Sequence, residues 1–511
     1  MRLRTWVVPM LVAGFSNSAF AQDTPSTEPL LQKVLKGFYG ALDVSFDVTT
    51  KGIDGLVAFP YQLNDPSNPN SGFSVAGPAK SGPVGRVGWM PALSTNKSGF
   101  GYRGDHRIGD SAVDFDYQIE AAFAITSAPG LNTSSTQQSN VVKTGLGYGD
   151  SFVGFRGTGW GSLKAGTTYA PYKKSTDRLN PFTGMLGDYA VVMGNSGGDN
   201  RVEFGTRIDH SIWYESPKIA GAVSFDVLWS PGQNRTYDNV VQSAGSPDCN
   251  GGNEPGSGNL PLNCDDGGFA DAISADVRVE AYGFYLVGAF EWHNQVNRNS
   301  DGLGSNNPLY GVYAANNPLS VISAANNPQG LPGSALGAYT QDIGNEWASK
   351  VGLQYTFPFG LTVGGIYEWI RRSIPASLAF QNERSRDGFW LTGSQKIGDG
   401  TFSAGWAHAG STPGDPGGQH NYNPNAGSNT ADMFTFAYRH QLDKQLYAYV
   451  DFADTINNGN AHYDIGAGGR GLTTDCHDGS NTVFVDYSGT GPTTWGGCHV
   501  IGVSTGVNYK F

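Results

Sequence analysis

The segment HVIGVSTGVNYKF, residues 499–511, puts Ile501, Val503, Thr505, Val507, Tyr509 and Phe511 at every second position, with Gly502, Ser504, Gly506, Asn508 and Lys510 between them. Side chains alternate faces along a strand, so this stretch is apolar on one side and small or polar on the other. The pattern recurs. Phe38, Leu42, Val44 and Phe46 oppose Tyr39, Asp43, Ser45 and Asp47. Val113, Phe115, Tyr117 and Ile119 alternate with Asp114, Asp116, Gln118 and Glu120. Val351, Leu353, Tyr355 and Phe357 alternate with Lys350, Gln354 and Thr356, and Phe434, Phe436 and Tyr438 with Thr435 and Arg439. Carboxylates and bases so placed cannot face a dry interior without a large cost. Water must lie on the polar side, and hydrocarbon or protein on the other.

The connections have a rhythm of their own. Short ones fall at 104–110, 158–161, 216–221, 281–283, 358–360, 398–400 and 442–445. Long ones cover 51–96, 126–146, 168–203, 231–268, 294–345, 374–386, 410–430 and 456–498. Seven short turns alternating with eight long loops predict sixteen strands with both termini on the short-turn side. That is the plan of an all-β transmembrane antiparallel barrel, with short periplasmic turns and long extracellular loops. Closure pairs the last strand with its predecessor and with the first strand, which removes the edge. Tyr509 and Phe511 are then expected in the aromatic girdle at the periplasmic rim. The NNP triplets beginning at 306, 316 and 326 are too short for structural repeats and read as loop.

Composition narrows the picture. Hydrophobic residues are 39% of the chain, low for a large water-soluble core, while aromatics reach 12% and glycines number 73. No apolar run reaches the roughly 18 residues of a helical span. Arg2 and Arg4 precede the apolar WVVPMLVAGF, and Ala19-Phe20-Ala21 offers a cleavage site, so residues 1–21 read as a signal peptide and 22–511 as the mature barrel. Losing Arg2 and Arg4 takes the formal charge from −12 to −14. Such an acidic chain is a poor partner for nucleic acid. Cys249 with Cys264, and Cys476 with Cys498, lie in Gly/Asn/Asp-rich segments of an exported chain and read as loop-closing disulfides. His477 and His499 each adjoin a cysteine, but the spacing matches no zinc pattern, so neither metal nor cofactor is expected.

Several motifs together resemble the Gram-negative general porins, especially the beta-proteobacterial group. They are FYGALD (38–43), SGFGYRG (98–104), SFVGFRG (151–157), SLKAGTTYAPYK (162–173), RIDHSIWYESPKIAG (207–221) and the closing NYKF. The resemblance spans the mature chain in order. It implies a homotrimer of barrels among outer-membrane lipids and lipopolysaccharide, passing small hydrophilic solutes passively, with the third loop folded inward to narrow each lumen. It further implies loop acids facing wall bases across that constriction. Carried over, the acids are Asp177, Asp188 and Asp199, and the bases Arg103, Arg156, Lys164 and Arg207. NPF (180–182) matches the family's third loop, whereas MLGDYAVVMGNSGGDN is longer and more apolar than usual. By the same resemblance, the terminal aromatics Tyr509 and Phe511 supply the assembly signal.

Rival chemistry finds little support. GNSGG (194–198) and GVSTG (502–506) match a nucleophile elbow, but neither shows the strand-to-helix context with a following acid and histidine. No enzyme is expected. The alternative is a substrate-specific channel for a sugar or small organic anion. A sugar slide needs stacked rings, and Tyr39, Trp213, Tyr447 and Tyr449 are lumen-side candidates by alternation. Their wide separation in sequence favours girdle or loop packing instead. Because lumen-facing positions carry both signs, weak charge selectivity is expected, with Arg156, Lys164 and Arg207 favouring anions and Asp177 and Asp188 opposing them.

Overall fold

The computed structural model describes residues 36–50, 89–123, 125–126, 145–146, 149–193, 204–231, 269–297, 343–373, 385–411, 428, 430–458, 461, 463, 465 and 499–511. The architecture below is that of the unit Tyr39–Phe511. The strands begin with β1 (Phe38–Thr50), β2 (Trp89–Thr95), β3 (Gly99–Arg107), β4 (Val113–Ala122), β5 (Gly145–Leu146) and β6 (Ser151–Gly157). They continue as β7 (Gly161–Tyr169), β8 (Arg207–Glu215), β9 (Val223–Pro231), β10 (Asp271–Ala281), β11 (Phe284–Asn297) and β12 (Ile343–Thr356). The last six are β13 (Leu361–Ser373), β14 (Arg386–Ile397), β15 (Gly400–Ala409), β16 (Ala431–Gln441), β17 (Leu446–Asn457) and β18 (His499–Lys510). β2 and β3 are halves of one stave beside β1, and β5 and β6 are halves of another beside β4. Sixteen staves therefore close into one antiparallel barrel.

Closure runs through the C-terminal segment. β18 pairs with β17 from Leu446↔Tyr509 to Ile456↔His499, and with β1 from Ala41↔Lys510 to Thr49↔Gly502. Phe511 and Gly40 then exchange two backbone hydrogen bonds of 3.0 Å each. Gly40 is needed there, because a Cβ would sit 2.5 Å from the Phe511 ring. All seven short turns and eight long connections fall where the sequence puts them, with shifted edges. The first long loop ends at β2 rather than at 96, because Trp89–Thr95 is a strand despite Pro91. A missing N–H is tolerated there, since β2 ladders to β1 and to no second strand among the described residues. Likewise β3 continues to Arg107, past the expected turn start at 104.

Burial along the staves is inverted relative to a soluble protein. Leu42, Phe46, Val351, Leu353, Phe434, Phe436, Val503 and Val507 are exposed, while Asp43, Ser45, Asp47, Lys350, Gln354, Thr435, Ser504 and Asn508 are buried. The hydrophobic effect recovers about 25 cal/mol per Å² only when such an apolar band leaves water, which here requires lipid. The ladder register shifts between His293 and Val296 in β11, and again between β7 and β8. His210 has φ +52° and the β7–β8 register shifts between Gly166 and Thr168, so Ile208 faces Thr168 and is buried. That β-bulge turns inward a residue that strict alternation from Trp213 would leave outside.

The third long connection leaves β7 and lies against the inner wall. Pro171 opens the short helix α1 (Pro171–Lys174), and 3₁₀ turns follow at Asp177–Leu179 and Tyr189–Val191. Its apolar side chains Leu179, Phe182, Met185, Tyr189, Val192 and Met193 pack with Val287, Ile366, Trp390, Met433 and Tyr449 from the wall. Trp390 sits between Phe182 and Tyr189 and donates to the Leu179 carbonyl at 2.9 Å. Other wall groups take further loop backbone and hydroxyls. Arg439 donates to the Pro181 carbonyl (3.2 Å), Asp451 accepts from the Leu186 N–H (3.0 Å), and Lys350 donates to Thr176 (2.8 Å). Among the described residues the loop's middle covers the β11–β17 side of the lumen and its ends, at Tyr172 and Phe204, pack on β8–β13, which leaves the β1–β7 side the more open.

Deleting Phe511 removes the two hydrogen bonds to Gly40 and the ring above it. At about 1 kcal/mol per bond, closure should weaken by roughly 2 kcal/mol before the aromatic contact is counted. Heat-modifiable migration on gels should show a lower yield and melting temperature of folded barrel. Wild-type yield and melting would contradict this account of closure.

Candidate functional site

The open side of the lumen carries a descending series of bases on staves β2 to β8. Uppermost is Lys97, in the break between β2 and β3, whose stem crosses Gly184 of the third loop; a Cβ at Gly184 would lie 3.0 Å from Lys97 Cγ. The break itself is held by Asn96, which donates to Asp43 (3.2 Å), Ser45 (3.1 Å) and the Tyr449 hydroxyl (2.8 Å), and by Ser98 on the Asp43 backbone. Next comes a linked group. Arg103 lies 4.7 Å over the Tyr39 ring, and Tyr39 donates to Glu120 at 2.6 Å. Glu120 also accepts the Asp150 N–H (2.7 Å), and Asp150 accepts from Arg207 (3.0 Å), which lies 4.0 Å over Tyr169. Below it Lys164 meets Glu215 at 2.7 Å, and Lys174 from the loop approaches the same carboxylate at 3.8 Å.

The expected site residues are placed unequally. Arg103 and Arg207 share the linked group, and Lys164 adjoins it. Arg156 is elsewhere. Arg103 pairs with Gln118 and Gln118 with Phe152, so Arg156, four residues on, stands about 13 Å further toward the short-turn rim at the usual strand rise. There it is exposed and 3.7 Å from Asp114, which also holds Arg107. Asp177 is half exposed on the lumen side of the loop, 3.8 Å from Lys173. Asp188 is buried and committed to the loop itself: it accepts from the Asn180 side-chain amide (2.8 Å), Ala190 N–H (3.1 Å) and Gly184 N–H (3.4 Å), capping the second 3₁₀ turn. Asp199, the four cysteines Cys249, Cys264, Cys476 and Cys498, the GNSGG segment and residues 1–21 lie outside the described residues. GVSTG is part of β18, and His499 meets Asp454 at 2.5 Å. Among the described residues no group of three His, Cys, Asp or Glu is placed to hold a metal.

Electrostatics on the loop follow from its enclosure. Burial pushes the Asp177 carboxyl up, against the pull of Lys173, Lys97 and Lys350. Burial alone would lower Lys173, but Tyr189, Asp188 and Asp177 outweigh it and hold the ammonium above its ordinary value. Burial raises the Tyr189 hydroxyl to about 12, so it stays a neutral partner for Thr176 at 2.8 Å. Sequence reasoning missed the loop bases Lys173, Lys174 and Arg178, although YKK and DR stand in plain view, and it missed Lys97. Among the described residues neither Lys97 nor Arg103 has a carboxylate in bonding range. Of the candidate aromatics, Trp213 and Tyr449 are buried, Tyr39 is covered by Arg103, and Tyr447 packs beside Tyr449 under Arg439. They form no continuous slide.

Comparison with known proteins bears on the fold and the family. The chain resembles the anion-selective porin from Comamonas acidovorans in fold, with a TM-score of 0.54 at 13% identity over 93% of this chain and 98% of that one. Looser likenesses are OmpT of Vibrio cholerae, with a TM-score of 0.46 at 10% identity over 93% and 96% of the two chains, and Salmonella typhi OmpF in complex with daunomycin, 0.47 at 12% over 93% and 97%. Among curated proteins, none matches the chain in sequence. The sequence pattern of the Gram-negative porins matches residues 11–460, and with the sixteen-stave barrel it places the chain in the Gram-negative porin family, the β-barrel channels of the outer membrane.

Proposed function

We propose that this porin is a passive channel for small hydrophilic solutes and ions, assembled as a homotrimer, with a weak preference for anions. Family membership supports passive diffusion and the trimer. The preference rests on one observation: Lys97 and Arg103 of the open wall have no carboxylate in bonding range among the described residues, whereas Lys350 and Arg439, also without one, are spent on Thr176 and the Pro181 carbonyl of the third loop. Two nearby carboxylates are paired with bases, Asp150 with Arg207 and Glu215 with Lys164, while Glu120 is held by the neutral Tyr39 hydroxyl and the Asp150 N–H. A low-dielectric wall focuses the field of such unpaired groups on the aqueous path. Charges in wet surroundings interact by only about 1 kcal/mol at 4 Å, so two of them bias the flux without closing it to cations. The net charge of −12 does not decide the sign, because exposed charges beyond about 8 Å are screened at physiological salt.

The constriction in this reading lies between the third loop, with Lys173, Asp177 and Gly184, and the wall at Lys97, Arg103 and Arg207. Lys164 continues the basic path below it. Arg156 acts at the periplasmic exit. Asp188 serves the loop's shape more than its charge. Asp199 is proposed as a further loop-three acid of the constriction, and the two cysteine pairs as loop-closing disulfides, on sequence grounds alone.

Reversal potentials in planar bilayers under a salt gradient test the sign. The wild type should favour anions modestly, and Lys97→Gln with Arg103→Gln should move the potential toward cations. An unchanged potential in the double variant would refute the assignment. A second expectation concerns acidity. Because burial raises the Asp177 carboxyl, it should lose its charge at higher pH than an ordinary aspartate, so mild acidification should increase anion preference. Asp177→Asn should show that increased preference already at neutral pH and respond less to acid. An identical pH response in the variant would remove Asp177 from the path.

A further inference from the structure

The eighth long connection starts at the end of β17, and its first residues turn into the lumen. Asn458 is tied to Thr430 by its backbone N–H (2.9 Å) and its side-chain amide (2.6 Å), and Ala461 N–H returns to the Asn458 carbonyl at 2.7 Å. The Asn457 side chain then holds Tyr463 by both backbone groups. It accepts from Tyr463 N–H at 2.7 Å and donates to the Tyr463 carbonyl at 2.9 Å. Ala461, Tyr463 and Ile465 have no exposed surface. Loops at a barrel rim are ordinarily wet, so complete burial at three places calls for a physical reason.

The reason is the third loop. Tyr463 joins the cluster formed by Phe182, Tyr189, Trp390 and Tyr449, and Ile465 packs with Leu186, Ala453 and Val500. Two successive N–H groups of the third loop are taken by different elements: Leu186 donates to Asp451 of the wall at 3.0 Å, and Gly187 donates to the Ile465 carbonyl at 2.7 Å. Gly187 has φ +74°, and a Cβ there would collide with Thr435. The loop tip is thus gripped from the wall on one side and from the eighth loop on the other. Three residues earlier, Gly184 lies under Lys97.

We propose that the root of the eighth loop is a second element of the constriction, in which Asn457, Tyr463 and Ile465 are positioning residues that hold the Gly184–Gly187 tip against the wall. The third loop alone does not set the opening. This goes beyond the charge reading, because it concerns the width and steadiness of the path and not its sign.

Single-channel recording of the full-length protein tests it with Asn457→Ala, Ile465→Ala and the conservative Ile465→Val, using heat-modifiable migration to verify folding. Asn457→Ala strips both backbone partners from Tyr463, whereas Ile465→Ala removes only packing at the tip and is the milder change. Both alanine variants should show raised conductance and replacement of one open level by several, while Ile465→Val keeps the wild-type trace. Reversal potentials should stay unchanged, which separates failure of this proposal from failure of the anion reading. Folded Ile465→Ala channels with wild-type conductance and a single level would overturn it.

Discussion

Every other feature of this protein depends on the closed backbone ladder. In hydrocarbon an unpaired N–H or C=O costs several kcal/mol, so a sheet crosses a membrane only if it has no edge. β18 meets that condition by pairing with β17 and β1 along nearly its whole length, and Phe511 with Gly40 adds the last two bonds. Once the ring is closed, each side chain has two destinations. Leu42 and Phe46 go to lipid, and Asp43, Ser45 and Asp47 go to the lumen. A polar lumen is therefore a consequence of closure and patterning together.

The same logic explains why the third loop takes the side it does. The inner wall is not uniformly polar: Val287, Ile366, Trp390, Met433 and Tyr449 form an apolar patch on staves β11 to β17. Left wet, that patch would forfeit the gain from burying large apolar groups, about 1.5–3 kcal/mol for each side chain. The third loop covers it with Leu179, Phe182, Met185 and Tyr189, and the root of the eighth loop adds Tyr463. The uncovered staves are those with Lys97, Arg103, Lys164 and Arg207. In the channel proposed here, passage follows the basic side because the apolar side is occupied.

Much of this was legible in the sequence. Period-two alternation needs no partner to be seen, and the strand number follows from counting turns rich in Gly and Pro. What escaped reading depends on contacts distant along the chain. Pro91 hid β2, because its tolerance depends on an edge visible only in the sheet. Asp188 has the composition of a pore acid, yet Asn180 and the Ala190 N–H turn it into a cap. Arg156 matches the same motif form as Arg103 but stands nearer the short-turn rim, because the two strands enter the ladder at different registers. Lys97 belongs to no alternating pattern, being in the break of a stave, and Ile465 signals nothing until the third loop is beside it.

The central claim is that mobile anions concentrate along the uncovered wall at Lys97, Arg103 and Arg207. Anomalous diffraction from crystals soaked in bromide tests this most directly, since it locates the ion without altering the protein. The account predicts bromide peaks beside Lys97 and Arg103, within the passage between the third loop and β3. Bromide absent from that passage, with rubidium occupying it in a parallel soak, would contradict the account.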